Sequence, residues 1–272
     1  MRDLRGTPAA IALLLAVCAD ASHAQSAKPR VPPGGDPGGV AIAFIGGGVD
    51  YTRAEIAARL ARDGEGEIIG WDFLDNDRRP FDDCPRRQLT TAGCPSDRGL
   101  TIIDKATDSR LVVARASSDM PQSLVQAVSM VAQSPARVVL FAPMGAALDP
   151  KFLDEAARRF PALLIVFATA VRAGVQATVP QSPANDTLIS VSAGQAGGQA
   201  ADIIVPVDGL AADLAAAQIA ALAGRLIARE PRLDAAAIKR RIVELARRET
   251  QPGSAASRPG TISQPDRHFR RD

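Results

Sequence analysis

The sequence predicts an α/β fold in which a doubly wound parallel sheet is flanked by helices. Short apolar runs rich in Val, Ile and Leu alternate with segments of helical periodicity along most of the chain. Strands that alternate with helices need crossover connections, and such connections produce a parallel sheet covered on both faces. Roughly 250 residues follow the N-terminal leader, which is enough for one large domain, although two smaller domains would also fit this length.

Seven strands and five helices are predicted along the chain. The strand segments are short and mostly β-branched or Leu-rich, and they cover residues 41–45, 67–73, 111–114, 138–142, 163–168, 188–191 and 202–205. The helical segments have apolar residues at helical spacing, and they cover residues 53–62, 122–133, 150–159, 210–229 and 234–248. Pro231 separates the last two helices, because proline cannot continue the first of them.

The N-terminus is typical of a secretory signal peptide. Arg2 and Arg5 precede an apolar run at 11–17, and the small residues Ser22 and Ala24 stand where signal peptidase needs them. The apolar run is shorter than the ~20 residues that span a bilayer. We therefore expect an exported, periplasmic or secreted protein that is not an integral membrane protein. Its predicted parts are a signal peptide (1–24), a Pro/Gly-rich linker (25–38), a folded domain (39–249) and a disordered tail (250–272).

Charge and cysteine content narrow the function classes. The net charge is +2, and the basic residues are scattered along the chain, whereas a nucleic-acid-binding protein would show a clustered basic footprint. We expect no nucleic-acid partner. Cys84 and Cys94 lie in the loop "DDCPRRQLTTAGCPSD", and in an oxidising compartment such a pair predicts a disulfide that closes a surface loop. A metal site there would need more ligands, and the loop contains no His.

Two further patterns raise the question of a small ligand. Gly46, Gly47 and Gly48 follow the first strand, as in a dinucleotide site, but Tyr51 stands where the third glycine of that fingerprint belongs. A small-molecule-binding α/β protein therefore stays open as an alternative. The acidic stretch around Asp72 suggests calcium, but its spacing matches no calcium loop and Arg78, Arg79, Arg86 and Arg87 are interleaved with it. We predict a charge-compensated loop, no metal and no cofactor, and we assign Tyr51 and Trp71 to packing.

Seven segments, in order, resemble the subtilases, the subtilisin-like serine proteases. "FIGGGVDYTRAEI" is similar to the block around the family's catalytic acid, and "IIGWDFLDNDRRPFDD" to its G-W-D-F-V-D-N-D segment. The segments "RLVVARA", "LVQAVSMVAQSPARVVLFAPMG" and "ALLIVFATAVRAG" follow the family's strand, helix and A-A-G-N pattern. The sixth, "VPQSPANDTLISVSA", resembles the family's Y-P-A-x-Y-x-x-V-I-S-V-G-A segment, and the last, "LAADLAAAQIAALAGRLIAREPRLDAAAIKRRI", resembles the helix that carries the nucleophile. The resemblance implies a subtilisin-like fold.

The resemblance also implies a set of catalytic positions, and all of them are substituted. The family's acid falls on Gly46, its histidine on Arg98, its oxyanion asparagine on Val171 and its nucleophilic serine on Asp213. The two histidines of the chain, His23 and His268, belong to the predicted leader and tail, so the folded domain has no imidazole to activate a hydroxyl. We therefore predict an inactive protease homologue that acts as a binding or accessory protein, with a peptide or protein as its expected partner. The alternative is an active serine endopeptidase with non-standard residues.

An active enzyme without histidine would need a lysine or a second carboxylate as its base. A Ser-Lys mechanism would need a desolvated lysine, and Lys105, Lys151 and Lys239 all stand in polar surroundings in the sequence. An acid protease pair would need Asp72 and Asp213 to share a proton, and their spacing gives no reason to place them together. Asp213 is instead predicted at the start of a long helix, where a carboxylate caps unpaired N–H groups at a gain of about 0.5–2 kcal/mol.

Overall fold

The structure is a computed structural model, and it describes residues 28–82, 84, 94–142, 148–169, 185–193, 201–205 and 212–250. The predicted leader, the predicted tail and Val171 lie outside the described residues. The strands are β1 (Val40–Gly46), β2 (Gly70–Asp72), β3 (Ser109–Arg115), β4 (Val138–Ala142), β5 (Leu164–Ala168), β6 (Leu188–Ala193) and β7 (Ile203–Val205). The helices are α1 (Ala54–Ala57), α2 (Pro95–Lys105), α3 (Pro121–Ala132), α4 (Pro150–Arg159), α5 (Ala212–Arg229) and α6 (Ala235–Thr250).

All seven strands belong to one parallel sheet with the order β2-β3-β1-β4-β5-β6-β7. The direction of winding reverses beside β1, because the chain passes from β1 to the edge strand β2, returns to β3 next to β1, and then adds β4 to β7 in order on the other side. In an open parallel sheet, side chains that act on a ligand gather beyond the carboxyl ends of the strands near such a reversal. The predicted doubly wound α/β sheet is therefore confirmed.

Each face of the sheet has its own apolar core. One core contains residues of α2, α5 and α6, and α5 runs across the middle of this face against β1, β4, β5 and β6. The other core is built from α3 and α4. Alternate residues of β1 enter the two cores, with Ile42 and Phe44 on the first side and Ala43 and Ile45 on the second. This alternation explains why the strand reads as an unbroken apolar run.

Two helices of the structure differ from the prediction. The helix predicted at 53–62 ends at Ala57, because the backbone of Arg59 and Ala61 hydrogen-bonds to that of Leu111 in β3 instead of continuing the helix. The helix α2 was not predicted, since its sequence contains Gly99 and few apolar residues. Pro95 suits the first turn of α2, and the packing of Ile102 and Ile103 in the core stabilises the helix despite the glycine.

The segment 28–39, most of it predicted as a linker, has no regular secondary structure and contacts the surface of the domain. The carbonyl of Pro29 accepts a hydrogen bond from the buried Tyr51 hydroxyl at 2.9 Å, and that of Pro32 accepts one from Arg62 at 2.7 Å. Asp36 accepts a hydrogen bond from the Arg62 amide and pairs with Arg110. No helix in the described part of the chain has the length and apolarity that crossing a bilayer requires.

Candidate functional site

Gly46 ends β1 at the carboxyl edge of the sheet, between β3 and β4. Its carbonyl accepts a hydrogen bond from the Ala116 amide at 2.9 Å. A Cβ atom at this position would lie 2.5 Å from the Phe44 ring and 2.8 Å from the Ala142 carbonyl oxygen. These separations are too short for any real Cβ, so the strand end accommodates glycine and no larger residue without displacement of its neighbours. The space beside this strand end is filled by the aromatic ring of Phe44.

The glycine turn after β1 is covered by another part of the backbone. Gly48 has a φ of +89°, and a Cβ atom there would lie 2.6 Å from the Pro80 carbonyl oxygen. The Val49 amide donates to that same carbonyl at 3.0 Å. The helix that follows, α1, has only 4 residues. A dinucleotide site needs an open glycine turn that leads directly into a long helix, and this turn offers neither feature.

Arg98 and Asp213 form an ion pair between α2 and α5. The Arg98 Nη2 atom donates to Asp213 Oδ2 at 2.5 Å. The Arg98 side chain is 8% exposed, whereas that of Asp213 is 33% exposed. Asp213 lies in the first turn of α5, where the helix dipole also favours a carboxylate. The structure thus brings together two side chains that the resemblance assigned to catalytic positions.

The chemistry of this pair differs from that of a hydrolytic dyad. A guanidinium stays protonated in proteins and has no acceptor atom, so Arg98 cannot take a proton from a nucleophile. The Asp213 carboxylate is held by a cation and offers no hydroxyl. What the pair can do is fix the start of α5 against α2, which a charge-assisted hydrogen bond does well.

The candidate lysine bases, Lys105, Lys151 and Lys239, do not form a catalytic site either. Lys105 and Lys151 are exposed. Lys239 is partly buried rather than fully solvated, and its Nζ lies 3.7 Å from Asp202 Oδ1. Asp202 in turn accepts a hydrogen bond from the Ser190 hydroxyl at 2.8 Å. A carboxylate therefore stands between the lysine and the serine, and Ser190 is only 2% exposed, so a substrate cannot reach it.

The acidic stretch around Asp72 is compensated by cations, as predicted. Among the described residues the main cations are Lys28 and Arg115, and the predicted Arg86 and Arg87 lie outside the described residues. Lys28 Nζ lies 2.5 Å from Asp72 and 2.6 Å from Asp75, and Arg115 lies within 2.9 Å of both carboxylates. Asp72 is completely buried and also accepts the amides of residues 74 and 75. Arg79 contributes a longer contact of 3.4 Å to Asp77. Among the described residues, no three or more His, Cys, Asp or Glu side chains are grouped so that they could hold a metal ion.

These contacts shift the ionisation of several groups. Burial alone would lower the pKa of Lys28, but hydrogen bonds to Asp72 and Asp75 and the charges of these residues outweigh it, so the pKa of Lys28 is raised. The hydrogen bond from Lys28 is the main reason why the pKa of Asp75 is lowered. Burial would lower the pKa of Arg115 as well, but hydrogen bonds to Asp72 and Asp75 and the charges of these residues outweigh it, so the pKa of Arg115 is raised. Asp72 and Asp213 have separate cationic partners, so they do not form a proton-sharing pair.

The predicted disulfide is present. Cys84 and Cys94 are bonded with their Cα atoms 5.8 Å apart, and Cys94 is the residue that precedes the first turn of α2. Beside the bond, the buried Asp82 accepts hydrogen bonds from the amides of Cys84 and Ser96 and from the Ser96 hydroxyl. The disulfide therefore fixes the beginning of the helix that carries Arg98. Tyr51 is a packing residue, as predicted: it is completely buried against Phe81.

Sequence reasoning missed three residues of this region. Lys28 lies in the segment that was predicted to be a linker, and Phe44 reads as an ordinary strand residue. Arg115 ends β3, and its position at the carboxyl edge was the one available signal that it would meet the acids after β2.

The strand order, the central helix and the flanking layers define a subtilisin-like α/β fold, and comparison with solved structures agrees. The chain is similar to a cold-adapted subtilisin-like serine proteinase, with 17% identity and a TM-score of 0.52 over 77% of this chain and 83% of that one. It also matches sphericase, with 14% identity and a TM-score of 0.49 over 79% and 86% of the two chains. No protein-family profile matches the sequence, and neither does any curated protein. Similarity at this level of identity shows the fold.

Proposed function

We propose that this chain is an exported protein with a subtilisin-like fold that has no peptidase activity and acts by binding a peptide or protein. The single observation that carries this proposal is the ion pair between Arg98 and Asp213. By resemblance these positions belong to the histidine and the serine of the triad. Here they hold a permanent cation and a carboxylate, which bind each other instead of a substrate.

The third triad position supports the same conclusion. By resemblance the acid position falls on Gly46, where the Phe44 ring and the Ala142 carbonyl exclude even a Cβ atom. A single reversion at Asp213 would therefore restore neither the base nor the group that orients it. Catalysis by a triad depends on its members acting as a unit, and one member alone gives little rate enhancement.

Labelling with a fluorophosphonate tests the absence of activity, because this reagent reacts with activated serine hydroxyls. We expect no stoichiometric labelling of the purified chain or of its Asp213→Ser variant, whereas an active subtilisin-like protease labels fully in parallel. Labelling of any serine in the folded parent would support the active alternative instead. So would a casein-cleaving activity that co-purifies with the chain through every step.

Export is tested by the mass of the protein recovered from the cell envelope. The predicted leader ends at Ala24, so we expect an N-terminus near Gln25. The Cys84–Cys94 bond should lower the mass by two hydrogens relative to the reduced protein. A chain that retains its first 24 residues and carries free thiols at both positions would contradict export into an oxidising compartment.

A further inference from the structure

A second surface of the molecule has the properties of a binding groove. It is a cleft of about 460 Å³ between α5, α6 and the edge strand β7, and Lys105 of α2 also lines it. Its apolar lining includes Val205, Ile219, Leu222 and Leu245. Leu222 and Leu245 are only partly buried, so the folded domain leaves their side chains accessible. The residues of α5 that line the groove, 218–225, lie about 8–18 Å along the helix from Asp213, at a rise of ~1.5 Å per residue.

The charges of this groove have one sign. Lys105 and Arg225 line it, and both are exposed. Among the described residues that line the cleft, none is acidic. An occupant that is apolar along its length and carries carboxylates at one end would bury its apolar side chains here and neutralise both cations.

The edge of the sheet adds a second feature. Among the described strands, β7 pairs with β6 and is the last in the sheet order, so it is the edge strand beside the groove. An extended peptide can pair with such an edge while its side chains enter an adjacent pocket. An acyl chain could fill the apolar space but could not use the strand edge.

We propose that the groove between α5, α6 and β7 binds an extended, apolar peptide segment that carries acidic residues at one end. The C-terminal residues 251–272 of the chain fit this chemistry poorly, because they contain four arginines and two aspartates and the groove is itself cationic. The inference gives a partner chemistry to the binding role proposed above and rests on that role. It does not depend on the triad positions, so fluorophosphonate labelling and peptide binding can fail independently.

Fluorescence anisotropy with two labelled peptides tests the proposal. The probe has four alternating Val and Leu residues followed by two Glu, and its counterpart ends in two Lys. We expect saturable binding of the acidic probe to the purified full chain and at least about tenfold weaker binding of the basic counterpart, with an affinity that falls as salt rises.

Substitutions in and beside the groove test whether the acidic probe binds there. Arg225→Glu should weaken the acidic probe about tenfold or more, whereas Arg229→Glu, an equal charge change at an exposed residue of α5 that does not line the cleft, should leave it nearly unchanged. Leu222→Asp should also abolish binding, and the exposed Arg225 variant keeps the test valid if the leucine variant does not fold. Equal binding of both peptides, equal effects of the two arginine variants, or binding of dodecanoate with no binding of the acidic peptide would each overturn the proposal.

Discussion

Arg98 and Asp213 are 115 positions apart in the chain, and their contact exists because α2 packs beside α5. The two ends of the ion pair have unequal environments. Arg98 is almost completely buried, whereas a third of Asp213 is exposed and can stay hydrated without its partner. Loss of Asp213 should therefore cost more than loss of Arg98, since it removes a partner from a buried cation.

A double-mutant cycle measures this asymmetry. We expect Asp213→Ala to lower the free energy of unfolding by about 1–3 kcal/mol, and Arg98→Met to lower it by less. The coupling between the two changes should be about 0.5–3 kcal/mol, as is usual for residues in direct contact. Urea unfolding of the parent, both single variants and the double variant gives all four values. Additive effects would mean that the two side chains do not interact in solution.

The close packing around Gly46 at the end of β1 can be tested by adding a single methyl group. Gly46→Ala places a methyl group against the Phe44 ring and the Ala142 carbonyl, so we expect the free energy of unfolding to fall by about 1–3 kcal/mol, the usual cost of overpacking. Gly64→Ala is the matched control, because no heavy atom lies within 4 Å of the added methyl. That change should be neutral or slightly stabilising through the unfolded state. Equal stability of the Gly46 variant and the parent would mean that space alone does not exclude a side chain there.

The sequence accounts for much of the candidate site at the level of single residues. A search for histidine in the predicted domain finds none, and this conclusion needs no structure. The Arg98–Asp213 contact could not be predicted in the same way, because α2 itself was not recognised and ion pairs leave no local pattern in a sequence. Lys28 was missed for the same reason, since its partners lie more than 40 positions away.

At the scale of elements, the segment 28–39 shows how tertiary contacts override composition. Its prolines and glycines are typical of linkers, yet Lys28, Pro29, Pro32 and Asp36 each contact the domain. The helix α1 is the opposite case, since its sequence favours a longer helix and the backbone contacts with Leu111 end it early. In both cases the deciding hydrogen bonds join positions distant in sequence, which periodicity cannot detect.

The attachment of this segment through Lys28 should depend on pH. The folded-state pKa of Asp75 is lowered, so its contribution is fully present above its ordinary pKa of 3.8 and is lost as the pH falls through the folded value. The pKa of Lys28 is raised, so its contribution is fully present below 10.5 and is lost as the pH rises through the folded value. Lys28→Met should reduce the change of stability with pH in both ranges.

The measurement is the free energy of unfolding in urea across the acidic, neutral and alkaline ranges. Lys151→Met is the matched control, because Lys151 is exposed and lies far from the acidic stretch in the sequence. We expect the control to follow the parent at every pH. A Lys28 variant whose stability curve is parallel to that of the parent would show that the segment is not held by this cluster.

At the scale of the whole molecule, the α/β fold class followed from the pattern of apolar residues alone. Seven apolar strands with helices between them leave few arrangements other than a doubly wound parallel sheet, since crossover connections are right-handed and short. The strand order did not follow from periodicity, because every strand is apolar on both sides and fits several places in a sheet. The resemblance supplied the subtilisin-like arrangement, and the observed order with its reversal at β1 agrees with it.

One continuous sheet with α5 against four of its strands predicts that the domain unfolds as a unit. Trp71 is the only tryptophan and lies in β2 at one edge of the sheet, so its fluorescence reports that edge, whereas far-ultraviolet circular dichroism reports the helices throughout. We expect the two signals to give the same urea midpoint, as in two-state unfolding. Ile189→Ala, in the buried strand β6 far from Trp71, should cost about 2–5 kcal/mol through the cavity it leaves. Both midpoints should then fall by the same amount. A fluorescence midpoint that stays constant while the circular dichroism midpoint falls would show that the β2 edge unfolds separately, and the chain would then contain two cooperative units rather than one.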